Sequence, residues 1–250
     1  MAKAGIMPSG RFCHFFRRIR AHRREYSMWQ LHNRRAFWDT SAGQQILTLD
    51  LIFRKISDAQ RIFVGRAAQR GVELSCPPDC GACCHGFMPD VLPVEADYIA
   101  FFLLINQNNP GDGPEGHFSL LSPSTPASPS PCPFYAADRP GANCRIYEAR
   151  PLICRLFGFS GTKTKNGGTA YRLCRHMPTP RGFPGRSPTQ EALQRAIGTL
   201  PPLMSDFSIG ILAIDPSRAS ERKPLVEALP PALARISATL HYCPEEPNAA

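Results

Sequence analysis

The chain has 250 residues, of which 43% are hydrophobic, and a formal net charge of +9. This hydrophobic content is enough for a packed core, but the first 40 residues lack the apolar run of a secretory signal peptide. No stretch reaches the roughly 18–20 uncharged residues of a membrane span. The sequence therefore predicts a soluble, cytoplasmic protein, in which clustered cysteines are metal ligands or redox groups rather than disulfides.

The positive charge is concentrated in a basic N-terminal arm, residues 1–40, which holds nine Lys or Arg against two acids. Apolar residues between Arg11 and Arg24 recur at helical spacing, which is typical of a basic amphipathic helix that contacts an anionic surface. The arm could equally be a solvated tail or an upstream extension, with Met28 as the initiator. The remainder of the chain is close to neutral, at +2, and gives no strong nucleic-acid signal.

Two helices are predicted in the first half of the body. The longer covers Gln44–Arg70, with Ser41 as its cap and Gly71 at its end, and it buries one face. That face consists of Leu49, Phe53, Ile56, Phe63 and Ala67. The second begins at Pro93, carries Glu95 in its first turn and ends near Asn106.

Between these helices lies the segment C-P-P-D-C-G-A-C-C, which holds four cysteines within nine residues. Its prolines and glycine predict turns, in which a backbone can fold around a metal. The four are Cys76, Cys80, Cys83 and Cys84. Single cysteines follow at Cys132, Cys144, Cys154 and Cys174, so eight of the ten lie within 99 residues. Cys13 and Cys243 fall outside this window and are expected to be ordinary thiols.

The later cysteines are expected on short elements after a loop at 108–131. Pro151 opens a helical turn that carries Cys154, and Phe157–Ser160 pairs with Thr169–Cys174 as a hairpin that presents Cys174. Residues 178–250 are predicted to be a Pro-rich linker and helical support, with helices from Ser187 to about Leu200 and from Pro231 to Tyr242.

The predicted fold is mainly α, a small α+β domain with a loop-rich, metal-organised cysteine core and a small β-hairpin. Its units are the arm at 1–40, a cysteine-cluster metal-binding domain at 41–177 and the C-terminal support at 178–250. Little besides the metal site is expected to join the cysteine-bearing segments, so metal and fold should be coupled.

Thiolates select zinc, copper(I) and iron–sulfur clusters over hard cations. One four-sulfur site needs four of the eight thiols, whereas two sites would use them all. Arg150 and Arg155 could bind an anion or offset the negative charge of a thiolate centre. His85 and His176 lie close to cysteines, but surface or supporting positions are expected for them because the thiols already exceed the need of one site.

Three motifs together resemble the bacterial YkgJ-type cysteine-cluster family of zinc- or iron-chelating domains. They are C-G-A-C-C at Cys80–Cys84, C-P-F at Cys132–Phe134 and C-R-I-Y-E-A-R-P-L-I-C-R at Cys144–Arg155, within residues 73–176. The resemblance implies that the family's cysteines are the six in these motifs, with Cys76 and Cys174 as additions. The resemblance also implies that these cysteines bind zinc or an iron–sulfur cluster, for which [4Fe–4S] is the first type expected.

The biological role stays open between three hypotheses. The first is a metal-binding protein, which could serve electron transfer, cofactor handling or a larger assembly with a protein partner. The second is an iron–sulfur enzyme, similar to a methylase or an oxidoreductase. Some relatives resemble flagellin lysine methylases, but no G-x-G-x-x-G follows a predicted strand here. The third is a metal-free thiol redox switch, in which neighbouring cysteines form disulfides.

Overall fold

A computed structural model describes residues 35–77, 80–106, 132–136 and 143–243. About half of these residues are helical and the β-structure is small, which confirms the mainly α prediction. The helices are α1 (Arg35–Trp38), α2 (Ser41–Gln69), α3 (Pro93–Ile105), α4 (Leu152–Leu156), α5 (Gln190–Ile197), α6 (Met204–Leu212) and α7 (Leu225–Tyr242). Antiparallel pairs are formed by β1 (Asp90–Val91) with β4 (Lys223–Pro224) and by β2 (Thr162–Lys163) with β3 (Thr169–Ala170). The predicted amphipathic helix at Arg11–Arg24, Cys13 and the 108–131 loop lie outside the described residues.

Helix α2 is the longest element and forms one wall of the molecule. The Thr40 hydroxyl oxygen accepts the Gly43 N–H at 3.1 Å and caps the helix, so Ser41 is the first helical residue rather than the cap. At the other end the chain turns at Gly71, whose φ of 74° suits glycine. All five side chains of the predicted buried face are at most 2% exposed, which confirms that face.

Three buried clusters are arranged along α2. Cluster 1, between α1, α3 and α7, includes Phe37, Ile46, Phe101, Phe134, Ile146, Leu229 and Ile236. Cluster 2, at the middle of α2, includes Leu49, Phe53, Ile56, Leu92, Leu152, Leu156 and Ile211. Cluster 3, at the C-terminal end of α2, includes Phe63, Ala67, Leu74, Phe159, Tyr171, Leu173, Phe183, Leu193 and Ile197. The expectation that little besides a metal joins the cysteine-bearing segments is therefore wrong, since apolar packing joins them.

The C-terminal helix starts earlier than predicted. Helix α7 begins at Leu225 and contains both Pro230 and Pro231, although proline is usually a helix start or a break. Its first turns bury Leu225 and Leu229 completely against α3, and this burial offsets the backbone hydrogen bonds that the prolines cannot donate. Pairing of β4 with β1 fixes the position where α7 begins.

Two other boundaries differ from the prediction. The hairpin is present, but its strands are Thr162–Lys163 and Thr169–Ala170, so the predicted first strand at Phe157–Ser160 is wrong. Cys174 lies beyond the end of β3 and is not presented by a strand. Helix α5 begins at Gln190 after its cap, Thr189, because the Thr189 hydroxyl rather than Ser187 accepts a backbone N–H.

A membrane-spanning helix is not found among the described residues, since none is both long and apolar enough.

The packing of α2 predicts that replacing two leucines on the same helix by alanine has very different effects on the free energy of unfolding. Leu49 is fully buried in cluster 2 and Leu51 is 59% exposed. Replacing Leu49 by Ala should lower the free energy of unfolding by about 2–5 kcal/mol, because it leaves a cavity. Leu51→Ala, the matched control, should change it by no more than about 0.5 kcal/mol. Urea unfolding of the two variants checks this, and equal effects would contradict the burial.

Candidate metal centre

Three loops bring most of the cysteines together. The turn that carries Cys83 and Cys84 contacts the next cysteine segment, because the Cys132 N–H donates to the Cys84 carbonyl at 3.4 Å. Cys144 in turn lies opposite Tyr135 in an antiparallel bridge. Gly81 lets these loops approach, since a Cβ there would lie 2.5 Å from the Tyr135 ring. The glycine of C-G-A-C-C is therefore required by close packing.

Five cysteines form one set, which we call the five-thiol group. Its members influence one another's ionisation and come from four segments of the chain: Cys83, Cys84, Cys132, Cys144 and Cys154. Burial is the main cause that raises the thiol pKa of Cys132, Cys144 and Cys154. The pKa reaches about 11 for Cys132 and about 12 for Cys154. These thiols are therefore protonated at neutral pH when no metal is bound.

The adjacent pair Cys83 and Cys84 behaves differently. A hydrogen bond from the Cys84 thiol lowers the pKa of Cys83 to about 6; burial opposes this shift and the charge of Arg150 adds to it. The same bond raises the pKa of Cys84, and burial raises it further. Cys83 is therefore the thiol of the pair that ionises more readily, and it is the more exposed residue of the two.

Arg150 is the cation of the five-thiol group. Its Nε donates to the Tyr147 carbonyl at 3.0 Å, and its guanidinium lies 3.6 Å from the centre of the Tyr147 ring. Burial alone would lower the pKa of Arg150, but Tyr147 and three thiols, those of Cys144, Cys154 and Cys83, raise it overall. A fixed positive charge therefore faces the thiols.

Arg155 has a structural role instead. Its Nε donates to the Arg150 carbonyl at 2.6 Å, another guanidinium nitrogen donates to the Glu148 carbonyl, and the group lies 4.0 Å from the Phe53 ring centre. These contacts close the turn that precedes α4 and attach it to α2. Of the two arginines considered from sequence, Arg150 is thus the one directed at the thiols.

Glu95 is a supporting residue that sequence reasoning read only as a helix-start signal. Its side chain is 1% exposed, and its two oxygens accept the N–H of Leu92 at 2.9 Å and of Leu152 at 2.8 Å. Burial raises the pKa of Glu95, while these bonds and the charge of Arg222, 3.9 Å away, oppose the shift. Because Leu152 begins α4, Glu95 holds the helix that carries Cys154.

Cys76 and Cys174 lie near cluster 3. Burial raises the pKa of Tyr171, and the charges of Cys76 and Cys174 add to that shift, which places both near its hydroxyl. The same hydroxyl donates to the Gly158 carbonyl at 3.0 Å, and a Cβ built on Gly158 would lie 3.7 Å from the Cys174 Cβ. The structure therefore places these two cysteines near the same tyrosine.

The remaining candidates have other surroundings. The Cys80 N–H donates to the Pro77 carbonyl at 3.3 Å, at the start of the turn that carries Cys83. His85 meets the Tyr135 ring edge-on, and His176 accepts a hydrogen bond from Arg175 at 2.9 Å. Cys243 is half-buried beside cluster 1.

The donor atoms of the five-thiol group suit a soft metal, because all are sulfur. Within the described residues, no three His, Cys, Asp or Glu side chains are already arranged to hold a metal ion. Bringing four sulfurs to one ion or cluster therefore requires movement of the turns that carry them.

Comparison with known families agrees with the motifs. Residues 75–175 match the model of the CxxCxxCC family, which is described as a "Putative zinc- or iron-chelating domain". This part of the chain, 101 of its 250 residues, is similar to that family. This match confirms the resemblance to a cysteine-cluster family and includes Cys76 to Cys174, and its description supports metal binding through cysteines without separating zinc from iron. No curated protein and no solved structure matches the chain.

The position of Glu95 predicts that its amide variant destabilises the protein. In Glu95→Gln only one side-chain oxygen remains to accept the two backbone N–H groups, so the free energy of unfolding should fall by about 1–3 kcal/mol. Glu227 is the matched control, because it occupies the same third position of α7 but is exposed. Glu227→Gln should have an effect within about 0.5 kcal/mol. Chemical denaturation measures both, and a Glu95→Gln variant as stable as the control would refute the assigned role.

Proposed function

We propose that residues 75–175 bind zinc or an iron–sulfur cluster, with [4Fe–4S] as the first cluster to test, through thiolates of the five-thiol group. The observation that carries this proposal is the approach of five cysteines from four segments, with Arg150 beside three of them, Cys83, Cys144 and Cys154. Cys80 is the natural sixth candidate, because it belongs to the same motif and precedes Cys83 by three residues.

The charges of the site favour a centre that is negative overall. Four thiolates around Zn²⁺, or around a [4Fe–4S]²⁺ core, leave a net charge of −2, which a nearby guanidinium stabilises. Arg150 lies beside the thiols and is held by its stack on Tyr147. Bound zinc would supply a structural cross-link, whereas an iron–sulfur cluster would supply electron transfer. In either case the chain's part is to position the sulfurs and offset their charge.

The two groups of cysteines have different parts in this proposal. The five-thiol group alone exceeds the four sulfurs of one zinc ion or one cluster. Cys76 and Cys174, near Tyr171, are therefore not needed as ligands of the first centre and would serve only a second one.

Metal analysis of protein purified without air tests the proposal and separates its two forms. Iron and sulfide with broad absorption near ~400 nm would indicate a cluster, and stoichiometric zinc in a colourless protein would indicate a zinc site. Protein that contains neither metal and binds neither on reconstitution would overturn the proposal.

A second candidate function, a thiol redox switch, is favoured by one observation. The hydrogen bond from Cys84 lowers the pKa of Cys83, as in reactive cysteines. If the metal-free protein is the functional form, the Cys83 sulfur should attack an added small-molecule disulfide in preference to the other thiols, which forms a mixed disulfide and releases the other half of the reagent as a thiol. Peptide mapping after alkylation would show it.

The grouping of thiols predicts which cysteines retain metal. Cys144→Ser and Cys154→Ser should each lower bound metal severalfold, because a serine hydroxyl is a poor ligand for soft metals. Cys243→Ser is the control, since this thiol is also half-buried but lies outside the group. Cys174→Ser should retain the metal of the first centre. Elemental analysis of the four variants checks this, and equal metal in Cys144→Ser, Cys154→Ser and the control would exclude those two as ligands.

The apolar clusters predict that metal removal loosens loops and leaves the helices in place. Clusters 1 to 3 join the helices without any thiol–metal bond. After chelation, circular dichroism should therefore show nearly unchanged helical signal. Limited proteolysis should gain cuts at 76–86 and 143–146 only. Loss of most helical signal would show instead that metal and fold are fully coupled.

A further inference from the structure

The part of the molecule around cluster 3 differs in charge from the rest. Residues 61–74 and 157–200, which surround this cluster, contain ten Lys or Arg against two acids, a net charge of +8. The rest of the chain after residue 40 contains ten basic residues against sixteen acids, a net charge of −6. The small total of +2 after residue 40 thus combines a basic part with an acidic part.

Within the described residues, the basic part lies at the C-terminal end of α2. The helix has 29 residues, about 43 Å at 1.5 Å per residue, and its residues enter the clusters in order. Ile46 packs in cluster 1, Phe53 in cluster 2 and Phe63 in cluster 3. Screening at physiological salt reduces interactions between exposed charges beyond about 8 Å. The basic end therefore acts as an electrostatic surface of its own.

Nine of its ten basic side chains are exposed, and one of them, Arg195, interacts through its charge with Glu191 on the same helix. The nine are Arg66, Arg70, Lys163, Lys165, Arg172, Arg175, Arg181, Arg186 and Arg195. Among the described residues, none of the nine lies within ion-pair distance of a carboxylate, whereas the tenth, Arg61, pairs with Asp58 at 3.0 Å. Arg186 donates instead to the Met177 and Cys174 carbonyls. A surface with this much uncompensated charge suits a polyanion.

The hairpin presents two of these charges on a fixed support. The Thr169 N–H donates to the Gln190 side-chain oxygen at 2.5 Å, which attaches the hairpin to the start of α5. Within the hairpin, the Thr164 N–H donates to the Gly168 carbonyl at 2.8 Å. Lys163 and Lys165 are therefore held at defined positions on the surface.

The side-chain types favour phosphate as the partner group. Seven of the nine exposed residues are arginines, whose forked N–H groups bind phosphate oxygens in pairs. Of the Phe and Tyr rings in residues 61–74 and 157–200, only Phe157 is exposed, at 45%, so a single strand would find one ring rather than a row of rings on which to stack successive bases. We propose that this basic end binds the phosphate backbone of a nucleic acid duplex, a function separate from metal binding.

Fluorescence anisotropy of the full-length, metal-loaded protein with labelled 20-base-pair DNA and RNA duplexes tests the proposal. Lys163→Gln combined with Lys165→Gln should weaken binding about tenfold at 0.1 M salt and reduce the salt slope by about 2, since each lost phosphate contact removes about 0.9. Comparing the two duplexes identifies which nucleic acid is preferred.

The matched control is Lys55→Gln combined with Lys223→Gln, which removes the same charge from exposed positions outside cluster 3. The basic N-terminal arm is identical in all these proteins and cannot cause a difference between them. Equal affinity of the two double variants for duplex would overturn the proposal. The proposal would also be overturned if the protein bound polyglutamate or anionic lipid vesicles more strongly than duplex and the hairpin variant lost that binding. Polyglutamate binding would assign the surface to an acidic protein, and vesicle binding would assign it to a membrane.

Discussion

A single buried carboxylate connects the two helices on which the candidate metal centre depends. Glu95 accepts one backbone N–H at the start of α3 and one at the start of α4, so neither helix can shift without losing a bond in the protein interior. Such bonds matter because a buried N–H left unpaired costs about 1–3 kcal/mol. Gln60 adds a second attachment, from α2 to the Arg155 carbonyl at 2.8 Å. Helix α4 has only five residues and would not be stable alone. Its fixed position, and with it that of Cys154, follows from these contacts with its neighbours.

The same constraint explains why two neighbouring arginines have different roles. Arg155 faces inward, where it bonds the carbonyls of the preceding turn and covers the Phe53 ring. The turn it closes presents Arg150 on the other side, stacked on Tyr147 and directed at the thiols. The motif C-R-I-Y-E-A-R-P-L-I-C-R thus contains its own support: one arginine fixes the backbone, and the other supplies the charge that a thiolate centre needs.

The sequence predicted elements whose signals are local, and it missed contacts between distant segments. Helices α2, α3 and α4 follow from periodicity and from prolines at helix starts, and their predicted positions agree with the structure within a few residues. Helix α7 starts six residues before Pro231 because burial of Leu225 and Leu229 outweighs the local effect of proline. The position of Cys76 near cluster 3 could not be read from its spacing of seven residues from Cys83. It depends on Leu74 packing into cluster 3, while the turn after Gly81 packs on Tyr135.

Because the thiols lie on loops between packed clusters, metal binding and folding can be partly independent. The helices are joined by apolar contacts on both sides of the site, with Cys132 and Cys144 beside cluster 1 and Cys174 beside cluster 3. A metal bound by the five-thiol group would cross-link to α4 the turns at 83–84, 132 and 144, which a hydrogen bond and a β-bridge already connect to one another. It would therefore stabilise these turns much more than the distant α5 and α6. Such an arrangement permits a centre to be lost and rebuilt without global unfolding, and the exposed basic end around cluster 3 would keep its shape in both states.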